Sequence, residues 1–492
     1  MNTYINQLLT YGQFKGLLNP QDRDYAINRL RHLLQIDSFV YEEIDDETTE
    51  DMLPPIQEIL DPILDEAIAR GLIEDTIDQR DILDTQIMGC ITPIPSDVNF
   101  RFKLGGTNFF YRFSQDTNYI RRDRIAKDRK WQVATDFGTL DLTINLSKPE
   151  KDPRDIERAK LAKTSDYPLC LLCKEHVGNT GTLNQPPRNT HRVVPLRLSG
   201  EDWFLQYSPY VYYNEHCIVV NNQHTPMTMD GRTFDLLLDF VEQFPHYFVG
   251  SNAGLPIVGG SILSHEHYQG GRYAFAMNHA QVLKTTTIDG VELGVLKWPM
   301  TTLRLQGKKI PKLVALADKI YATWKTYNDP AHDIASHTGE TRHNTVTPIA
   351  RFNPETDNYE LDMVLRNNRT NAEYPYGIFH AHEPYHHLKK ENIGLIEVMG
   401  LAVLPGRLVK ELEQVEAALL TSDTTKLGAH QPWAQELLAQ HATITPQNVS
   451  QIVQESIGHK FLEILACCGV YKQTPAGLAG VDKFLAAVQS AK

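Results

Sequence analysis

Two segments of the chain end in the same tripeptide pattern, His265-Glu266-His267 and His380-Ala381-His382, 115 residues apart. Each closes a similar succession of elements, and that recurrence restricts the fold more than any other feature. Before the first pair lie three β-rich runs, VVPLRL, WFLQY and HCIVV, separated by turn residues. TFDLLLDFVEQF (233–244) follows, with Phe234, Leu237, Leu238 and Val241 at helical spacing. A glycine-rich stretch, SNAGLPIVGGS, then leads into SHEHYQGG. Before the second pair, residues 310–327 read as a helix, and RHNTVTPIARF and YELDMVLRN as strands. The shared order predicts an α+β fold with a duplicated unit and an antiparallel sheet.

Helical extensions flank this centre. Residues 1–90 read as mostly helical. Asp61-Pro62 suits a helix start and Gly71 a stop, with the acidic stretch 41–51 solvated. FGTLDLTIN (138–146) reads as a strand, and a charged, proline-bearing stretch after it predicts a boundary near 160. In the tail, Thr445 and Pro446 suit a helix start before Val449, Ile452, Val453, Ile457, Phe461, Leu462 and Leu465. The expected divisions are 1–160, 161–275, 276–420 and 421–492.

Composition narrows the function. With 48 basic and 61 acidic residues the formal charge is −13, which disfavours a nucleic-acid-binding surface. Six cysteines in 492 residues do not make a disulfide scaffold. No run approaches the ~18–20 apolar residues a membrane helix needs, and the N-terminus carries no basic leader, so the expected compartment is the cytoplasm.

The chemistry concentrates in Ser264-His265-Glu266-His267-Tyr268-Gln269-Gly270-Gly271. On a strand, His265, His267 and Gln269 share one face, and Glu266 and Tyr268 the other. Two imidazoles, a neutral amide and two glycines that admit close approach suit a phosphate. A neutral imidazole can attack phosphorus. An amide at 269 only exchanges hydrogen bonds, which favours transfer over hydrolysis. Without that context, the pair reads more readily as surface or structural histidines on a strand.

Cys170 and Cys173 have the spacing to grip one zinc ion, with His224 and His265 as candidates to complete a tetrahedron. The alternative is two buried thiols beside unrelated histidines. Four histidines, His380, His382, His386 and His387, precede Lys389 and Lys390, and the lysines suggest an anion-facing loop.

These residues resemble the hexose-1-phosphate uridylyltransferases, the galactose-1-phosphate uridylyltransferases of the Leloir pathway within the histidine-triad superfamily. Glu266 between the histidines, SHEHYQGG and YHHLKKENIGLIEVMGLAVLPGRL are similar to the type II branch. The resemblance implies a duplicated histidine-triad-like fold and a nucleophile, His267, that becomes uridylylated. It implies that Gln269 holds the phosphate and stabilises the adduct. Cys170, Cys173, His224 and His265 are implied as ligands of a structural zinc, and Asn252 as a contact to the nucleotide phosphates. Ser261 and Ser264 are both candidates for the phosphate-binding serine. His380 and His382 match a second metal site of type I relatives, but the stretch after His267 offers no glutamate for it.

The implied partners are UDP-glucose, galactose-1-phosphate, glucose-1-phosphate and UDP-galactose, with a homodimer as the family assembly. Lys389, Lys390, Arg272 and Arg351 are candidates for the sugar-phosphate anion. Rival readings are a nucleotide-sugar phosphorylase, a nucleotidyl hydrolase and a non-catalytic nucleotide-binding module.

Overall fold

The β-rich runs become strands of one sheet. In the computed structural model, which describes residues 1–44, 47–147, 167–182, 184–260 and 262–491, these are β3 (Val194–Leu198), β4 (Glu201–Tyr207), β5 (Cys217–Asn221) and β7 (His267–Gly271), joined by β6 (Phe248–Gly250), which no expected run covers. The second set is β8 (Val282–Ile288), β9 (Val291–Leu296), β10 (Thr302–Gly307), β13 (Asn344–Asn353) and β14 (Asn358–Asn367), with a small hairpin of β11 (His337–Thr338) and β12 (Thr341–Arg342) before β13. The ten pair antiparallel in the order β3-β4-β5-β7-β6-β13-β14-β10-β9-β8. Inward from either edge the order is first, second, third, fifth, fourth. The two fourth strands meet at the centre, with Val249 opposite Ala350. The duplication expected from element order is therefore present in the topology.

Thirteen α-helices are described. Five are N-terminal: α1 (Asn2–Phe14), α2 (Arg23–Leu33), α3 (Ile56–Ala69), α4 (Ile77–Gly89) and α5 (Pro95–Asp116); a short α6 (Arg122–Ile125) follows. In each half a helix joins the third strand to the fourth: α7 (Gly231–Gln243) and α8 (Ile310–Thr326). Asp230 caps α7 in a reciprocal capping box with Thr233. α7 and α8 pack together on one sheet face, where Phe234, Leu237, Leu316 and Ile320 join the same core as the N-terminal helices.

The opposite face packs against a second core. It contains β1 (Arg129–Thr135), β2 (Gly138–Ile144) and β15 (Leu401–Leu404), which form a three-stranded sheet. The remaining helices are α9 (Leu395–Val398), α10 (Leu408–Thr421), α11 (Gln431–Gln440), α12 (Val449–Cys468) and α13 (Pro475–Ser490). The expected strand at 138–146 is β2, and it lies parallel to β15.

Two helix starts differ from expectation. α3 begins at Ile56, and Pro62 sits inside it. Proline there removes the hydrogen bond that the Glu58 carbonyl would receive. The buried stripe of Ile56, Ile59, Leu60, Ile63, Leu64 and Ala67 holds the helix through that defect. Its stop is as expected: Gly71, at φ +71, lets its N–H reach Ile68 and that of Leu72 reach Ala67, both at 2.9 Å. In the tail, the Asn448 side chain accepts from the Thr445 N–H at 2.8 Å, which closes a turn, and α12 starts only at Val449. The expected division near residue 160 lies outside the described residues.

Candidate active site

The backbone entering β7 separates the two histidines. The Glu266 N–H donates to the Thr225 carbonyl at 2.7 Å, and the Glu266 carbonyl accepts from the Asn221 N–H at 3.0 Å. The strand begins only at His267, so His265 does not share its face with His267 and Gln269 as a continuous strand would require. His267 is buried, and burial pushes its imidazole below the usual range, so the ring is neutral near pH 7. Its Nδ1 donates to the His265 carbonyl at 2.7 Å. That bond fixes the tautomer and leaves the Nε2 lone pair free for attack.

Behind the strand, Tyr268 stacks on Trp203 with centroids 5.0 Å apart. Glu266 is buried among donors: Arg232 Nη1 at 2.7 Å and Asn221 Nδ2 at 2.8 Å. Arg232 stands in the first turn of α7 and also binds Glu201. The peptide whose carbonyl orients His267 is thus tied to a helix and to the neighbouring strand. On the front face, Gln269 Oε1 lies 3.3 Å from Nε2 of the buried His216.

His265 turns to a cluster with Cys170, Cys173 and His224. The four ligand atoms lie within 4.8 Å of one another. Cys170 Sγ is 3.6 Å from Cys173 Sγ and 3.3 Å from His265 Nδ1, and Cys173 Sγ is 3.3 Å from His224 Nδ1. A tetrahedral zinc with bonds of ~2.3 Å to sulfur and ~2.0–2.1 Å to nitrogen spaces its ligands by about 3.3–3.8 Å, so the donor set fits. His265 Nε2 is 2.9 Å from the Asn221 carbonyl. Donation there leaves Nδ1 bare toward the cluster, as a metal ligand requires.

The other candidates distribute unevenly. Asn252 is buried in the loop after β6, where its Oδ1 accepts from the Leu395 N–H at 2.9 Å. Ser264 is exposed just before His265, and Ser261 lies outside the described residues. The glycine pair does not open the strand to a ligand. A Cβ on Gly270 would meet the Phe248 carbonyl at 2.6 Å, and one on Gly271 would meet the Tyr213 ring at 2.7 Å. Both glycines are needed because protein already occupies that space.

The expected cations are also largely committed. Lys389 is buried and donates to Glu397 and the Val403 carbonyl, each at 2.9 Å. Arg351 is buried against Glu360 and Asp362. Arg272 lies 3.3 Å from Glu215. Lys390 is exposed, 4.8 Å over the Tyr376 ring, at the rim of a cavity of about 880 Å³ that His386 and His387 also line. His380 and His382 each face a backbone carbonyl, those of Ala381 and Ile378, at 3.1 Å. Among the described residues, only the Cys170 group brings three or more Cys, His or carboxylate ligand atoms close enough to hold a metal ion.

Sequence reasoning missed His216 and Arg232. His216 stands at the start of HCIVV, read only as a strand. Arg232 is a cation in the first turn of a helix, and no local pattern aims it at Glu266.

A duplicated antiparallel α+β unit that holds a buried, carbonyl-oriented imidazole beside a Cys-Cys-His-His cluster defines a protein with a histidine-centred site next to a potential metal centre. Family models narrow this further. That for the galactose-1-phosphate uridyl transferase N-terminal domain matches residues 16–226, and that for the C-terminal domain matches 240–435. The chain belongs to the galactose-1-phosphate uridylyltransferase family. It is 49% identical to the galactose-1-phosphate uridylyltransferase of Clostridium acetobutylicum, covering 99% of both chains. It is 48% identical to that of Bacillus subtilis, covering 98% of this chain and 96% of the relative. Among solved structures, yeast Ap4A phosphorylase Apa2 aligns with a TM-score of 0.33 and 13% identity over 68% of this chain and 97% of that one. No described helix is long and apolar enough to cross a membrane.

Proposed function

We propose that the protein exchanges UMP between UDP-glucose and galactose-1-phosphate, giving glucose-1-phosphate and UDP-galactose, through a uridylyl group carried on His267. The observation that carries this reading is the His267 ring itself: neutral by burial, oriented by the His265 carbonyl, with no described residue hydrogen-bonded to Nε2. Nε2 attacks the α-phosphorus of UDP-glucose as the bond to the bridging oxygen breaks, and glucose-1-phosphate leaves. The imidazole gains a positive charge, which the His265 carbonyl at Nδ1 stabilises. Galactose-1-phosphate then attacks the same phosphorus and restores the neutral ring. The leaving group is a phosphate in both directions, so no strong general acid is required. Gln269 supplies an amide to the phosphate oxygens and offers no group that activates water, which favours transfer over hydrolysis.

Cys170, Cys173, His224 and His265 would hold zinc, which supplies a structural clamp with all four positions taken by protein. That clamp would fix the carbonyl that orients His267. Asn252, Ser261 and Ser264 remain the candidates for the nucleotide phosphates and Lys390 for the sugar phosphate. The reading also places the protein in the cytoplasm as a homodimer and the division between halves at 275–276.

Intact-protein mass spectrometry after mixing with UDP-glucose tests the central claim. One uridylyl group should add to the parent, be discharged by galactose-1-phosphate, and be absent in His267→Ala. Free UMP with no adduct would point to a hydrolase. Metal analysis tests the clamp: about one zinc per chain is expected in the parent, and close to none in Cys173→Ala.

A further inference from the structure

We propose that His216 is a positioning residue that sets the rotation of the Gln269 amide, so that its NH2 group faces the transferring phosphate. The inference rests on the reading of His267 and Gln269 given above and goes beyond it by assigning a role to a third residue.

His216 directly precedes β5, and Ile218 of that strand lies opposite Gln269 on β7. Its backbone is fixed at both ends: its N–H donates to the Tyr213 carbonyl at 3.2 Å, and its carbonyl accepts from the Ser208 N–H at 2.8 Å. The ring packs against Tyr213 and Tyr212, with centroids 4.6 and 5.4 Å away. Held there, the ring points Nε2 at Gln269 Oε1, 3.3 Å away.

The ring's protonation then decides what it can do. Burial pushes His216 down to about 4, so it carries a single N–H at neutral pH. Nδ1 is buried with no hydrogen-bond partner, and Nε2 faces an acceptor. A buried N–H without an acceptor is the costlier arrangement, so the proton sits on Nε2 and donates to the amide oxygen. An amide whose oxygen is held this way must turn its NH2 outward. No described residue hydrogen-bonds that NH2. Rotated the other way, the amide would present its oxygen to a phosphate and repel it. A free glutamine samples both rotations, and His216 removes the wrong one before substrate arrives.

A double-mutant cycle on the single-turnover rate of His267 uridylylation by UDP-glucose tests this, using parent, His216→Phe, Gln269→Ala and the double variant. His216→Phe keeps the ring volume and removes the donor. The expected losses are at least ~10-fold for His216→Phe and on the order of 100-fold for Gln269→Ala, in the range seen when one donor to a developing charge is removed. The double variant should be no slower than Gln269→Ala alone, because His216 acts only through that amide. His216→Gln, which can again donate to Oε1, should recover part of the loss. Losses that multiply in the double variant would overturn the proposal by assigning His216 a role in packing alone, and so would an unchanged rate in His216→Phe. Should His216→Phe fail to fold, His216→Leu, which also lacks the donor, closes the same cycle with Gln269→Ala. A parent that forms no adduct at all would instead overturn the reading of His267.

Discussion

His265 and His267 are two residues apart, yet they face different partners, because the backbone bonds of Glu266 turn the chain between them. One ring joins a thiol cluster and the other keeps a free nitrogen. Burial of neutral histidines has a thermodynamic consequence as well. His216 is pushed from 6.5 to about 4 by desolvation, and His387 also to about 4, by desolvation and then by the charges of His430 and Lys460. Such groups bind protons more tightly in the unfolded chain. Their contribution to stability is complete above pH 6.5 and is lost as pH falls toward 4. For His216 this amounts to about 2 kcal/mol between pH 7 and pH 5. Thermal unfolding of His216→Phe should therefore show a smaller fall in melting temperature over that interval than the parent. An equal fall would contradict the assignment of His216 as a buried neutral ring. Motif spacing made Cys170, Cys173, His265, His267 and Gln269 legible. His216 was not, because its importance comes from a partner 53 residues away.

Among the elements, α7 connects the core to the chemistry. Its apolar face was visible as a helical repeat in the sequence, and its capping box fixes where it starts. That start brings Arg232 to Glu266 and Glu201. Replacing Arg232 with Met should cost about 2–3 kcal/mol, because Glu266 would stay buried without its partner; the partial exposure of Arg232 keeps the loss at the low end. Chemical denaturation measures that loss, and adding Glu266→Gln should recover part of it. No recovery would mean that the pair does not act as a unit. Close packing constrains α12 in the same way. A Cβ on Gly458 would come within 2.6 Å of Val133, so the helix lies directly on β1. Helical periodicity located α3 and α12, but not their first residues. At Pro62 the buried stripe outweighed the proline, and at Asn448 a side-chain turn outweighed the Thr-Pro signal.

Over the whole molecule, the duplicated sheet predicts equivalent positions. The central pairing exchanges Val249 with Ala350, and therefore Gly250 with Arg351. Their ladder partners are Gln269 and Glu360, so Gln269 corresponds to Glu360 and His267 to Asn358. The second half thus carries no imidazole at the place of His267. Its face is filled instead by Arg304, Arg351, Glu360 and Asp362, all buried and ion-paired. Uridylylation should accordingly stop at one group per chain even with UDP-glucose in excess. A second adduct in the mass spectrum would show that the second half also reacts. The same network explains why Arg351 is unavailable to a substrate, a fate that no local signal in RHNTVTPIARF foretold.

The sequence by itself determined what depends on neighbours along the chain. That includes β3, β4, β5, β7, β13 and β14, the helices α7 and α8, the His265–Gln269 motif, and the pair of thiols at metal-ligand spacing, but not β6, β8, β9 or β10. Their information is carried by periodicity and spacing over a few residues. The tertiary structure alone decided which distant groups meet and which charges are left over. Cys170 reaches His265 across 95 residues, Lys389 is taken up by Glu397, and Gly270 and Gly271 make room for protein rather than phosphate. Burial and pairing decide these outcomes. The cost of leaving a charge or an N–H unsatisfied inside the fold depends on whatever else is packed there, and that is not written in the adjacent residues.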